Sequence, residues 1–356
     1  MGEKMKIGIC AFPLSKGKET GRGLERVIEE LCNSLTARKL EYSFYDKGIL
    51  RNEIIAIIKS IRYGIELFSK KDKCYFSVYP VSAIFPIFTG KHPHVTAVHD
   101  LIPFHVYGYD NKIKYAIKRW CIKYACVKSD MIIVPFLSTK NQIVEMFKVN
   151  PDKIKVIFYG VNHENYYVEE KIEKIENRIA FLGEAKRAKG MDSVIYAFSK
   201  VLKEIPNATL SLASYGNELE EMKALAKKEL PEYSYHFLGF ISEDKMRAFY
   251  SSTKVFLFPS RYGFGLSSLE SMACGTPAIV GATLDAMDFL TDKDLLVNPE
   301  DPEELAEKIL ALLKDSKKYK EKRMKCIEIA KGFSWNTMAS RYYEVLVEAY
   351  KKINKK

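Results

Sequence analysis

Short apolar runs alternate with helix-period segments along this chain, and the alternation runs through twice. Residues 5–11 (MKIGICA) are β-rich and short. They are followed by GLERVIEELCNSLTAR, where Leu24, Val27, Ile28, Leu31 and Leu35 recur at helical spacing. The rhythm continues with strands at 42–45, 75–78, 94–99, 131–135 and 154–158, and helices at 53–68, 111–127 and 138–147. A polar stretch at 162–177, NHENYYVEEKIEKIEN, reads as a linker. Beyond it the pattern restarts. Strands are expected at 179–182, 209–213, 235–238, 255–258, 278–280 and 295–297, with helices at 191–205, 219–228, 243–251 and 265–274 and three more from Pro302, Lys317 and Ser334. Strands alternating with helices across short connections predict a mostly parallel, doubly wound sheet. A length of 356 residues suits two such α/β cores better than one. Ligands of open α/β sheets sit beyond the carboxyl ends of the strands, so the chemistry is expected in a cleft between the two domains.

Composition narrows the class. Hydrophobic residues make up 47% and charged residues 28%, which is globular rather than disordered usage. No run of about 18 uncharged apolar residues exists, so no spanning segment is expected. The opening MGEKMKIGICAFPLSKGKE does not read as a secretory signal. Seven cysteines without a C-x-x-C pair suggest a reduced, cytosolic protein with no disulfide framework or zinc ribbon.

The formal charge of +11 is lopsided: 26 basic and 16 acidic residues precede residue 166, and 30 and 29 follow. Such asymmetry predicts an acidic partner for the first half. Within it, the helix at 111–128 sets six basic residues among Ile113, Ile117, Trp120 and Tyr124. That pattern fits either an anionic membrane face or a packed helix with a solvated basic side. Tyrosines and phenylalanines fall in core-like periods rather than in an RNA-binding motif, so nucleic acid is not expected as a partner.

The usual nucleotide fingerprints fail. There is no P-loop, and both Gly21-Arg22-Gly23 and Gly263-Phe264-Gly265 lack the third glycine of a dinucleotide site. The informative string is FPSRYGFGLSSLESMACGTPAIV, 258–280. A strand ends at Pro259-Ser260, a glycine turn follows, and a helix opens near Leu266 and Ser267. The first turn of a helix offers free N–H groups and the positive dipole end to a phosphate. Glu270 lies one turn further, in reach of ribose hydroxyls.

This string resembles the donor-site signature of the family-4 retaining glycosyltransferases, a nucleotide-sugar-dependent group with the GT-B fold. TGRGLERVIEEL, VTAVHDLIPF at 95–104, IKVIFYGVN at 154–162, FLGEAKRAKGMDSVIYAF at 181–198 and DLLVNPEDPEELAEKILALL at 294–313 are similar to the same family. The resemblance covers nearly the whole chain. It implies two facing Rossmann-like, doubly wound domains. Residues 1–165 form the acceptor side, with the last helix (334–352) packing back on it, and 166–333 bind the nucleotide sugar. It further implies Lys189 on the diphosphate, with Gly21, Arg22 and Gly23 and the turn Gly263, Phe264, Gly265, Leu266 and Ser267 around the donor. Glu270 takes the ribose, and His99 positions the sugar. The implied reaction is front-face displacement, with the leaving phosphate taking the acceptor proton. No metal or other cofactor is required, and the nucleotide-diphosphate sugar is a co-substrate. The charge excess of the first half adds the expectation of an acidic, lipid-linked or saccharide acceptor and of a cytoplasmic protein peripheral at the inner membrane face.

Two positions depart from the family pattern. Tyr262 stands where the family has a second glutamate, and Glu184 rather than arginine follows Gly183. Arg187 or Lys186 would restore the cation. These departures leave two alternatives open: a catalytically silent nucleotide-sugar-binding subunit, or a nucleotide-sugar epimerase of the same fold. By count alone, His92, His94, His99 and His105 would also allow a metal site, which the resemblance argues against.

Overall fold

The computed structural model describes residues 6–11, 22–37, 39–46, 72–105, 112–263 and 265–354. The chain divides into two compact units, Met1–Gly160 with Trp335–Lys356, and Val161–Ser334. In the first, strands β1 (Ile7–Ala11), β2 (Tyr42–Asp46), β3 (Cys74–Ser77), β4 (His94–Ala97), β5 (Met131–Val134) and β6 (Ile154–Val156) form one sheet in the order β2-β1-β3-β4-β5-β6. In the second, β7 (Arg178–Glu184), β8 (Thr209–Tyr215), β9 (Tyr235–Phe237), β10 (Val255–Phe258), β11 (Ala278–Gly281) and β12 (Leu296–Val297) order as β12-β11-β10-β7-β8-β9. Every pairing is parallel. Parallel sheets must be covered on both faces, and runs such as MIIV in β5, VFLF in β10 and AIVG in β11 are buried throughout.

Each sheet reverses its winding once, between β1 and β3 and between β7 and β10. At such a reversal the loops leaving the two central strands part in opposite directions and open a crevice beyond the carboxyl ends. The expected helix at 53–68 lies outside the described residues.

Two readings of the sequence are corrected. Pro80–Phe88 forms a helix where none is expected, because its prolines and apolar run conceal a helical period. Pro80 occupies the first turn, where no N–H is needed. The Ser82 hydroxyl donates to the Tyr79 carbonyl at 2.8 Å and accepts from the Tyr79 N–H at 3.3 Å. The polar stretch at 162–177 is also no loose linker. Tyr166 is buried and its hydroxyl donates to Glu243 at 2.7 Å. Lys174 Nζ donates to the Ser251 carbonyl, the Thr253 carbonyl and Thr276 Oγ1 at 3.1, 2.9 and 2.6 Å. The segment straps the amino ends of β7, β10 and β11. The closing helix Trp335–Asn354 belongs to the first unit, where buried Tyr342 meets Phe76 edge-on at 5.7 Å.

Beyond the carboxyl ends of β7 and β10, backbone touches backbone. Gly190 has φ +78°, and a Cβ there would stand 2.0 Å from the Pro259 carbonyl oxygen. Gly190→Ala should therefore destabilise the chain by about 2–4 kcal/mol, through left-handed strain and the forced separation of the two loops. A urea midpoint equal to the parent's would contradict this packing.

The first sheet holds a buried imidazole. His94 bonds Ser77 Oγ at 2.9 Å, and burial, reinforced by neighbouring His92, lowers its pKa to about 3. The folded chain keeps this ring neutral while the unfolded chain protonates it below about pH 6.5. Stability is thus intact above that pH and falls as acid is added, His94 contributing about 1.4 kcal/mol per pH unit between pH 6 and 4. Urea unfolding across this range should show the slope, and His94→Asn should lose that share of it.

Candidate functional site

Beyond the carboxyl ends of β7 and β10, two loops of the second unit meet. After β7 the chain runs through Glu184 to a turn at Arg187–Lys189, and Gly190 passes it into the helix Met191–Glu204. After β10, Arg261 N–H donates to the Ala188 carbonyl at 3.0 Å, and Ser260 Oγ donates to the Tyr262 carbonyl at 2.5 Å. The contact delivers Lys189 to the glycine turn. Its ammonium lies 4.4 Å from the Tyr262 ring centre and 5.8 Å from that of Phe258, and a methyl group added at Gly263 would meet it at 3.8 Å. Gly265, at φ +69°, starts the helix Leu266–Ala273 and packs so closely on Phe258 that a Cβ would fall 2.6 Å from the ring. Leu266 and Ser267 are half-exposed in the first turn. Phe264 lies outside the described residues.

The carboxylates and other cations of these loops pair with one another. Glu184, standing where the family pattern has an arginine, is bonded to Lys186 at 2.7 Å. Arg187, expected at the donor, is turned onto Glu221 at 2.8 Å, and its own N–H donates to Glu218 at 3.0 Å. Glu270 is buried in the helix Leu266–Ala273 and accepts from the Tyr250 hydroxyl at 2.9 Å. Burial and the adjacent Glu270 keep that phenol protonated.

Two contributors were missed in the sequence. Arg261 bonds the Arg187 carbonyl, buried Asp192 at 3.2 and 3.3 Å, and Glu300 at 3.3 Å, locking one loop on the other. Its partners are 39 to 74 residues away, so no local spacing reveals them. Ser268, fully buried in the opening turns of the helix, has a hydroxyl with no hydrogen-bond partner among the described residues. An ammonium, two glycines and a helix start are thus gathered beyond the carboxyl ends of β7 and β10.

In the first unit His99 lies just past the carboxyl end of β4. Its Nε2 bonds the Val78 carbonyl at 2.7 Å and its Nδ1 the Tyr159 hydroxyl at 2.8 Å. With an acceptor on one nitrogen and a hydroxyl on the other, a neutral ring donating from Nε2 satisfies both. Burial lowers its pKa to about 4, so it is uncharged at neutral pH. Tyr79 closes on the ring edge-on at 5.6 Å. Arg22 and Gly23 open the helix Arg22–Ala37, while Gly21 lies outside the described residues. The histidines do not gather. His92 bonds Asp130 at 2.6 Å, His105 bonds Gln142 at 2.5 Å, and no group of three potential metal ligands occurs among the described residues.

Residues 162–333 match the family described as glycosyl transferases group 1, and residues 73–165 that described as glycosyltransferase family 4. An uncharacterized glycosyltransferase of Methanocaldococcus jannaschii, MJ1607, is 29% identical over 59% of this chain and 56% of its own length. The serotype-specific mannosyltransferase WbdA of Escherichia coli is 25% identical over 60% of this chain and 28% of its own. The chain thus spans about half or less of the length of these curated relatives. Sucrose-phosphate synthase from Thermosynechococcus elongatus superposes with a TM-score of 0.83 over 98% of this chain and 100% of that one, at 16% identity. Anabaena Alr3699/HepE, solved in complex with UDP-glucose, superposes at 0.76 over 97% and 100%, also at 16% identity. By its matched regions and its paired parallel sheets, the chain belongs to the group 1 glycosyltransferases of the GT-B fold.

Proposed function

We propose that this chain is a retaining glycosyltransferase that moves a hexose from a nucleotide-diphosphate sugar to an acidic, lipid-linked or saccharide acceptor. The observation that carries the reading is the placement of Lys189 beside the Gly263–Gly265 turn and the start of the Leu266–Ala273 helix. As the bond from the anomeric carbon to the leaving oxygen breaks, negative charge collects on the departing diphosphate. A fixed ammonium and helix-start N–H groups oppose that charge without reorganising. The acceptor oxygen bonds the anomeric carbon on the same face, and its proton passes to the leaving phosphate. No carboxylate nucleophile or metal enters this route.

His99 fits a positioning role for the sugar, since a ring neutral at pH 7 and tied at both nitrogens is a poor general acid. Glu270, oriented by Tyr250, takes the ribose hydroxyls. The lopsided charge favours the first unit as the acceptor side. A solved relative in fold holds UDP-glucose, and one curated relative is named a mannosyltransferase, so uridine and guanosine diphosphate hexoses are the donors to screen first.

Thermal-shift screening of such donors, followed by assay of nucleoside diphosphate release, tests the reading. Lys189→Ala should lower turnover by about two to three orders of magnitude with the fold retained. Unchanged turnover would remove Lys189 from the site.

Tyr262, standing where relatives place a carboxylate, favours the second reading of a subunit that binds donor without turning it over. Tyr262→Glu distinguishes the two. Under the transferase reading the substitution sets a carboxylate against the departing diphosphate and slows release. A gain in release would instead mark the parent site as degraded.

A further inference from the structure

The helix Lys112–Lys128 has two apolar faces. One is core: Cys121, Ile122, Ala125 and Cys126 are buried. The opposite one looks outward. Ile113 is 71% exposed, Trp120 53% and Val127 43%, with Ala116 exposed between them. Positions 113, 116, 120 and 127 follow the spacing of a single helix stripe. Tyr124 stacks on Trp120 with ring centres 5.4 Å apart. Phe88, 76% exposed, ends the helix Pro80–Phe88, whose Ala83 and Ile87 pack on this helix at Ala125 and Tyr124.

A helix that meets only water on its outer side carries its charges there. Here exposed Lys123 and Lys128 lie along the flanks, while the middle of the outer face is apolar. The helix has six basic residues and no acidic one. We propose that this face docks on an anionic lipid bilayer. Ile113, Trp120 and Val127 enter the headgroup boundary while the flanking lysines reach lipid phosphates.

Charge selects this occupant. A second copy of the chain seated on the stripe would set Lys123 and Lys128 against cations of its own kind, whereas an anionic surface neutralises them. An indole ring is suited to an interface that is apolar on one side and wet on the other. No described helix is long and apolar enough to cross a membrane. The inference is independent of the donor chemistry in the second unit, and its test reads binding rather than turnover.

The chain has two tryptophans, and Trp335 is buried, so a change in emission on adding vesicles reports on Trp120. Vesicles of phosphatidylcholine with phosphatidylglycerol should shift the emission to the blue and co-sediment the protein, and should do so less as salt rises. Phosphatidylcholine alone should do neither. Lys123→Gln with Lys128→Gln should weaken co-sedimentation about 30-fold. Trp120→Glu should abolish it, with circular dichroism and thermal midpoint kept in both variants. Equal binding to neutral vesicles, or binding unchanged in either variant, would overturn the proposal. So would a dimer that Trp120→Glu dissociates in a protein that ignores vesicles.

Discussion

The second unit depends on a place where two stretches of backbone come too close for a side chain to fit. Gly190 meets the Pro259 carbonyl, and Gly281 at the end of β11 meets the Ser260 carbonyl, where a Cβ would fall at 2.3 Å. Two loop contacts therefore rest on missing β-carbons rather than on complementary side chains. Backbone has few soft degrees of freedom, so a site assembled this way is positioned more tightly than one held by long side chains. Lys189 follows as a consequence: it directly precedes Gly190, and once that turn is seated its ammonium lands by the glycine turn after β10.

Around that turn the charges sort themselves. Lys186 answers Glu184, Arg187 answers Glu221, and Arg261 bridges Asp192 and Glu300. Lys189 lies over the rings of Tyr262 and Phe258, and an aromatic face attracts a cation without removing its charge.

The parallel strands were legible because a strand buried on both faces must be a continuous apolar run, and such runs as MIIV and VFLF admit no polar alternation. The glycine turn and Lys189 were legible because they are local, a few residues each. What the sequence concealed is long-range. The engagement of Arg187 by Glu221 and of Arg261 by Asp192 depends on which loops the topology brings together. The helix Pro80–Phe88 was hidden by Pro86 within it. For the helix Lys112–Lys128, composition showed basic and apolar residues mixed, but not that both faces are apolar and one of them is bare.

The misread stretch at 162–177 shows why polarity alone is a poor guide to a linker. Its hydrophilic residues are fastened to specific partners: Lys174 meets two carbonyls and a hydroxyl before β10 and β11, and Tyr166 meets Glu243. An unpaired ammonium in that place would be costly, and burial lowers the Lys174 pKa to about 7, so these bonds hold the segment in register. Tyr166 then packs edge-on against Tyr250 at 6.0 Å, and Tyr250 in turn donates to Glu270. A strap at the amino ends of the strands thus reaches, through two aromatic rings, the Glu270 carboxylate. The segment that looked like a connection between domains is a supporting layer of the second unit.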